Sequence, residues 1–265
     1  MKAKNLTLVL TVLALGLAVN AFAATPDINS AILVPYVWAD CPLSTLTSGN
    51  SYPSQIFFDD ALDPNCGGYA NLHVWRLSGD GVSAALFPND CAFSISADLL
   101  ETGVTDGEAG MQIRPWWGEA DGRFNVRSTD GEIACFGGRL PFYSFTSVYG
   151  LHYVKGTPIH LEVVYHANSL SPEDPGTIEY NLTYDNMFYT SGVLAFDQGN
   201  PNEPEYGFWG ILENAQVGGY SQVFLAPGIE GANFRAEWNN IVFTDLTPIP
   251  VMESSWGQIK NLYAR

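Results

Sequence analysis

The chain has 265 residues, 46% hydrophobic and only 15% charged, with 11 basic residues against 28 acidic ones and a net charge of −17. That length holds one large all-β domain or two small ones. So acidic a chain repels phosphate backbones and anionic bilayers, which argues against nucleic-acid binding and electrostatic membrane docking.

Lys2 and Lys4 precede an apolar run from Leu6 to Val19, and Ala21-Phe22-Ala23 supplies a small-x-small pattern. This predicts a secretory signal peptide over residues 1–23, cleaved after Ala23, and hence a secreted or cell-surface protein. The run is shorter than the roughly 20 apolar residues of a bilayer span, so no membrane span is expected. No Cys closely follows the cleavage point, so a lipoprotein anchor is not expected either. Without Lys2 and Lys4, nine basic residues stand against 28 acidic ones, a balance of −19. Residues 24–246 are expected to form one β-sandwich domain.

Residues 24–90 read as largely irregular, with strand-like runs at 31–38 and 70–77. The four cysteines, Cys41, Cys66, Cys91 and Cys135, all fall in the N-terminal half of the exported part. An even number in an exported chain reads as two disulfides, with three possible connectivities. The pairing favoured is Cys41–Cys66 and Cys91–Cys135. The first would close a Pro/Ser/Asn-rich segment, worth about 3–4 kcal/mol on the chain-entropy account. Four buried thiols are the alternative. The absence of a C-x-x-C pair argues against a zinc ribbon or a thioredoxin-like redox site.

After Cys91 the alternation is clear. Phe93, Ile95, Ala97 and Leu99 oppose Ser94, Ser96 and Asp98. Ala109, Met111 and Ile113 oppose Glu108, Gly110, Gln112 and Arg114, and Phe124 and Val126 oppose Arg123, Asn125 and Arg127. The same period of two runs through 159–166 and 178–185, followed by strand-like stretches at 192–196, 206–212, 222–225 and 236–243. Asp121-Gly122, Asp130-Gly131, Gly137-Gly138, Asp174-Pro175-Gly176, Gly218-Gly219 and Pro227-Gly228 punctuate them as turns. About ten to twelve such strands predict an all-β, two-sheet antiparallel sandwich, because each sheet must bury its apolar face on another.

The runs Phe93-Ser-Ile-Ser-Ala-Asp-Leu, Gly107-Glu-Ala-Gly-Met-Gln-Ile-Arg and Gly122-Arg-Phe-Asn-Val, with Ile159-His-Leu-Glu-Val-Val-Tyr and the closing Phe234-Arg-Ala-Glu-Trp-Asn-Asn-Ile-Val-Phe, resemble the jelly roll of concanavalin A-like lectins and glucanases. The resemblance covers residues 50–245 in strand order and texture. It implies a convex sheet, a concave sheet and often a glycan site on the concave side. Structural calcium is frequent in that family. Here the oxygen-rich stretches Asp59-Asp60-x-x-Asp63 and Asp197-x-x-Asn200-x-Asn202-Glu203 are the candidate ligands, although neither has EF-hand spacing. No other cofactor is expected. His160, Glu162 and His166, evenly spaced on one strand face, are a weaker transition-metal candidate beside the reading as ordinary surface residues.

The sharpest constellation is the hairpin over residues 108–127. Glu108, Gln112 and Arg114 on one strand face Arg123, Asn125 and Arg127 on the next, with Trp116 and Trp117 in the turn region between. Polar side chains beside flat aromatics match sugars, which present hydroxyls for hydrogen bonds and C–H faces for stacking. The competing reading is a cross-strand charge ladder that only stabilises the sheet. Tyr143, Tyr149 and Trp209 are further aromatic candidates, each equally at home in the core. Retaining glycosidases need two carboxyl groups about 5–5.5 Å apart, and the Glu-x-Asp-x-x-Glu that jelly-roll glucanases use occurs nowhere in this sequence. Glu108 and Glu162 remain as a non-standard pair. There is no G-x-S-x-G and no H-E-x-x-H.

Thr247-Pro248-Ile249-Pro250 reads as an extended linker, so residues 247–265 form a linker and tail. Ser255-Trp256-Gly257-Gln258 reads as a capping box opening a short helix, with Trp256, Ile259 and Leu262 or Tyr263 on one stripe. This ending resembles Trp-Gly-x-Ile-Lys-x-Leu-Tyr tails of secreted proteins of some bacteria. The segment from Trp256 to Arg265 is either an export or docking peptide for a surface or assembly partner, or an end that folds back or stays unstructured. Three functions remain open. The first is a secreted non-catalytic sandwich that binds glycan through a concave polar-aromatic face. The others are a structural or cell-surface assembly protein, and a glycoside hydrolase with a non-standard carboxylate pair.

Overall fold

The alternation after Cys91 buries the residues its period predicts. Phe93, Ile95, Ala97 and Leu99 are buried while Ser94, Ser96 and Asp98 are only half-buried. The computed structural model describes residues 24–113, 122–197 and 209–247. The expected signal peptide and tail helix, and Arg114, Trp116 and Trp117, lie outside the described residues.

In chain order the strands are β1 Ser30–Ala39, β2 Thr45–Ser51, β3 Gln55–Ala61, β4 Ala70–Ser78, β5 Phe93–Gly103, β6 Gly107–Ile113 and β7 Gly122–Arg127. After these come β8 Ile133–Phe136, β9 Tyr143–Ser144, β10 Ile159–His166, β11 Thr177–Tyr184, β12 Met187–Ala195, β13 Val217–Phe224 and β14 Asn233–Asp245. One five-residue helix, α1 Phe145–Tyr149, follows β9, with the Ser144 hydroxyl accepting from Ser147 N–H and Gly150 closing it in the left-handed conformation. The strands form two seven-stranded sheets. The first runs β1-β4-β13-β6-β7-β8-β9 and the second β12-β11-β10-β5-β14-β3-β2, every pair antiparallel. The predicted two-sheet jelly-roll sandwich is the observed fold.

The core lies between the sheets, where Trp75 of β4 meets Trp238 of β14 edge-on at 6.0 Å. The Trp238 indole N–H donates across the core to the Gly110 carbonyl on β6 at 3.2 Å. A Cβ at Gly110 would lie 1.8 Å from the Phe124 carbonyl oxygen, so only glycine fits there. A second small apolar cluster, Val37, Leu72, Val74 and Tyr220, sits on the other face of the first sheet.

Within residues 24–90 the expected runs at 31–38 and 70–77 are β1 and β4, but β2 and β3 were read as irregular, and residues 209–211 of the expected strand at 206–212 form a bend. β2 (TLTSGNS) has no apolar alternation because it is an exposed edge strand. In β3 the polarity is partly inverted. Phe57 points outward beneath the Arg235 guanidinium, 3.9 Å from its ring centre, while Asp60 points inward. Asp60 bridges the sheets, its Oδ2 accepting from Asn71 Nδ2 at 2.8 Å and lying 2.9 Å from His73 Nε2, both residues on β4. Tyr36 N–H donates to His73 Nδ1, which places the ring proton on Nε2, facing Asp60. Burial works to raise the Asp60 pKa, but the hydrogen bonds from His73, Asn71 and Ser44 outweigh it and hold the carboxyl below its usual value.

Cys41 and Cys66 are joined, as expected. The Cys91–Cys135 pairing is corrected, since both are free buried thiols. Cys135 faces the core from β8 in the first sheet, opposite Phe124, whereas Cys91 precedes β5 of the second. Burial, reinforced by the Asp90 and Asp245 carboxylates, pushes the Cys91 thiol up to about 12, and burial alone raises Cys135. Each behaves as a small apolar side chain with little thiolate to react.

Candidate functional site

The face of the first sheet turned away from the core carries the residues singled out in the sequence. Register sets them in three cross-strand rows. The first is Arg76, Gly218, Gln112 and Arg123; the second is Val74, Tyr220, Gly110 and Asn125; the third is Leu72, Gln222, Glu108 and Arg127. Successive residues along a strand alternate faces, so this strip is the reverse of the Trp75, Met111 and Phe124 side.

Arg123 organises the strip. Starting in the first row, its guanidinium lies 4.4 Å from the centre of the Tyr220 ring in the second. It reaches the third row, where Nη1 donates to Glu108 Oε1 and, at 3.2 Å, to Gln222 Oε1. Gly110, with no side chain, leaves that diagonal path open. The Tyr220 hydroxyl donates to Asn125 Oδ1, while Asn125 Nδ2 has no hydrogen-bond partner among the described residues. The Arg123–Glu108 pair is desolvated, with side-chain exposures of 4% and 8%. Asn125, Gln112, Gln222 and Arg76 are also buried. The strip is a fixed polar network with donors and acceptors at set positions and its central charge compensated.

Arg127, at the end of the third row, turns to its own loop. It binds Asp130 through Nε at 2.8 Å and Nη2 at 2.6 Å, and Glu132 at 2.5 Å. The bond from Arg127 holds the Asp130 carboxyl at about 2. Sequence reasoning placed Glu108, Gln112, Arg123 and Asn125 on one face, and the structure brings them together. It missed Arg76, Tyr220 and Gln222. Gly218-Gly219, read as a turn, instead lies inside β13, which hid Tyr220 and Gln222, and Arg76 was hidden in an otherwise apolar run.

The other candidates do not converge. Asp59 and Asp60 belong to a strand rather than a loop and face opposite ways, with Asp59 accepting from Asn233 and Asp60 engaged between the sheets. Asp63 accepts from the Asn65 backbone and side chain. Asp197 is described, but residues 200, 202 and 203 of its stretch are not. His160, Glu162 and His166 share the outer face of the second sheet, where His160 Nδ1 lies 2.7 Å from Asp98 and Glu162 accepts from Asn181. No group of three or more His, Cys, Asp or Glu suited to a metal occurs among the described residues. Glu108 and Glu162 stand on the outward faces of different sheets with the core between them, so they do not form a catalytic pair. The hydroxyls of Tyr143 and Tyr149 both donate to the Thr190 carbonyl, tying the β9 edge to β12.

No protein-family model and no curated protein sequence matches the chain. Solved structures similar to it include an alginate lyase from Klebsiella pneumoniae, at 10% identity and TM-score 0.46, covering 77% of this chain and 85% of that one. The family 7 alginate lyase A1-II' matches at 8% identity and TM-score 0.43 over 74% of this chain and 81% of its own. Arcelin-5, a lectin-like defence protein from Phaseolus vulgaris, matches at 10% identity and TM-score 0.39 over 83% and 100%. The fold is a two-sheet antiparallel jelly-roll sandwich. At these identities the likeness is one of fold alone.

Proposed function

We propose that this protein is a secreted, non-catalytic sandwich that binds glycan on the outer face of its first sheet. The observation that carries this reading is the polar strip itself. On a sheet face turned away from the main core, it holds Arg123, Glu108, Gln222, Asn125 and Tyr220 in one interlocked set. Donors and acceptors fixed in advance suit sugar hydroxyls, which need both at defined spacing, and fixing them lowers the entropic cost of binding. The non-catalytic reading is supported by Glu108 being engaged by Arg123 and by Glu162 lying on the far side of the sandwich. Secretion is supported by the N-terminal sequence pattern.

Affinity electrophoresis through gels containing laminarin, xylan, xyloglucan or polygalacturonate tests it. At least one gel should retard the protein, and Gln222→Ala should weaken retardation about tenfold or more, the worth of one or two hydrogen bonds. Free migration through every gel overturns the reading. A structural role for the strip is the second reading, favoured by the burial of its side chains, and it predicts no retardation together with loss of stability on substitution.

A further inference from the structure

The third row of the strip continues past Leu72 to Trp38 on β1. Phe224 lies two residues beyond Gln222 and therefore on the same face of β13, while Tyr69 comes from the turn just before β4. The three rings are neighbours. Trp38 and Tyr69 are 6.4 Å apart at 44°, and Tyr69 and Phe224 are 5.4 Å apart at 41°. Tyr69 is 61% exposed, and Trp38 and Phe224 are half-buried.

An exposed aromatic side chain on a loose loop would be unremarkable, but Tyr69 is anchored. Its N–H donates to Asp40 Oδ2 at 2.5 Å, as does Ala70 N–H at 3.3 Å. Asp40 N–H donates to the Ala70 carbonyl, and Leu225 N–H donates to the Tyr69 carbonyl at 2.9 Å. The Cys41–Cys66 disulfide joins the residue three beyond Trp38 to the residue three before Tyr69. Large apolar surface thus stays facing water while its backbone is prevented from collapsing inward.

We propose that Trp38, Tyr69 and Phe224 form a stacking subsite for one pyranose ring of the polysaccharide bound on this face. This rests on the glycan-binding reading and extends it by one ring position beyond the polar strip. The C–H face of a pyranose lies on aromatic surface, and its rim hydroxyls need polar partners close by. Gln222 supplies such a partner in the same row as Trp38. This continuity along one row of one face favours a polysaccharide over a protein partner, which would need a broader apolar area than three rings.

The same electrophoresis decides it. In the gel that retards the wild-type protein most, Tyr69→Ala and Phe224→Ala should each cut retardation about tenfold, and Tyr69→Phe should retain it, because stacking needs the ring and not the hydroxyl. Tyr69 is exposed, so its alanine variant should keep the wild-type melting temperature. Saturating polysaccharide should also change the Trp38 emission, seen as a signal lost in Trp38→Phe. Wild-type retardation with unchanged Tyr69→Ala and Phe224→Ala overturns the subsite and leaves glycan binding standing. Equal losses in Tyr69→Phe and Tyr69→Ala overturn stacking as its basis. No retardation of the wild type overturns both.

Discussion

The outer faces of the two sheets are built from similar residues and treat them differently. On the second sheet, polar side chains pair locally and stay partly wet: Arg235 with Glu237 and His160 with Asp98. On the first, Arg123 crosses three rows and is buried with its partners. β5 and β6 adjoin in sequence and show the contrast within one chain segment. β5 alternates between buried and half-buried positions, whereas every residue of β6 is buried. Period-two alternation reports which face meets the core, but it does not report whether the other face meets water.

The largest effect that sharpens this contrast is expected from Arg123→Ala. It removes the guanidinium that compensates the buried Glu108 carboxylate and should cost about 3–5 kcal/mol in urea unfolding. A loss of under 1 kcal/mol would mean that the strip is as solvated as the second sheet's outer face.

The buried carboxylates come next. Asp60 has a lowered pKa and stabilises the fold above its ordinary value of 3.8, a contribution that fades as pH falls. Asp60→Asn should therefore cost about 1.5–3 kcal/mol near neutral pH and little in acid. Glu101 is the opposite case. Burial foremost, with Glu108 adding to it, raises its pKa well above 4.5, so the native state binds the extra proton and stability declines as pH rises past that value. Glu101→Gln should raise the melting temperature near neutral pH and leave it unchanged in acid. The same response to pH in both variants would refute this assignment. The smallest effect is expected from Glu237→Ala, within about 1 kcal/mol, because its partner Arg235 is partly solvated.

Much of the sandwich was legible because Phe93 to Leu99, Ile159 to Tyr165 and Phe234 to Trp238 follow the pleat. β3 was missed because its polarity is inverted at both ends, with an aromatic ring outside under Arg235 and a carboxylate inside against His73. Such exchanges are decided by partners far away in sequence, and no local pattern carries them. Half of the candidate face was visible for the same reason. Glu108 and Arg123 sit on adjacent strands of one hairpin, whereas Tyr220 and Gln222 reach the strip only through the order of strands in the sheet.

The two unpaired sulfhydryls have a bearing on how the chain is made. Four cysteines allow three complete pairings, and the finished molecule uses none of them. In the oxidising compartment that the proposed secretion implies, the short span between residues 41 and 66 favours that bridge first. The other two sulfurs escape cross-linking only if their strands close over them before an oxidant or a shuffling thiol arrives. Slow-closing variants of the second half of the chain should therefore accumulate as scrambled, covalently trapped species rather than as ordinary unfolded protein.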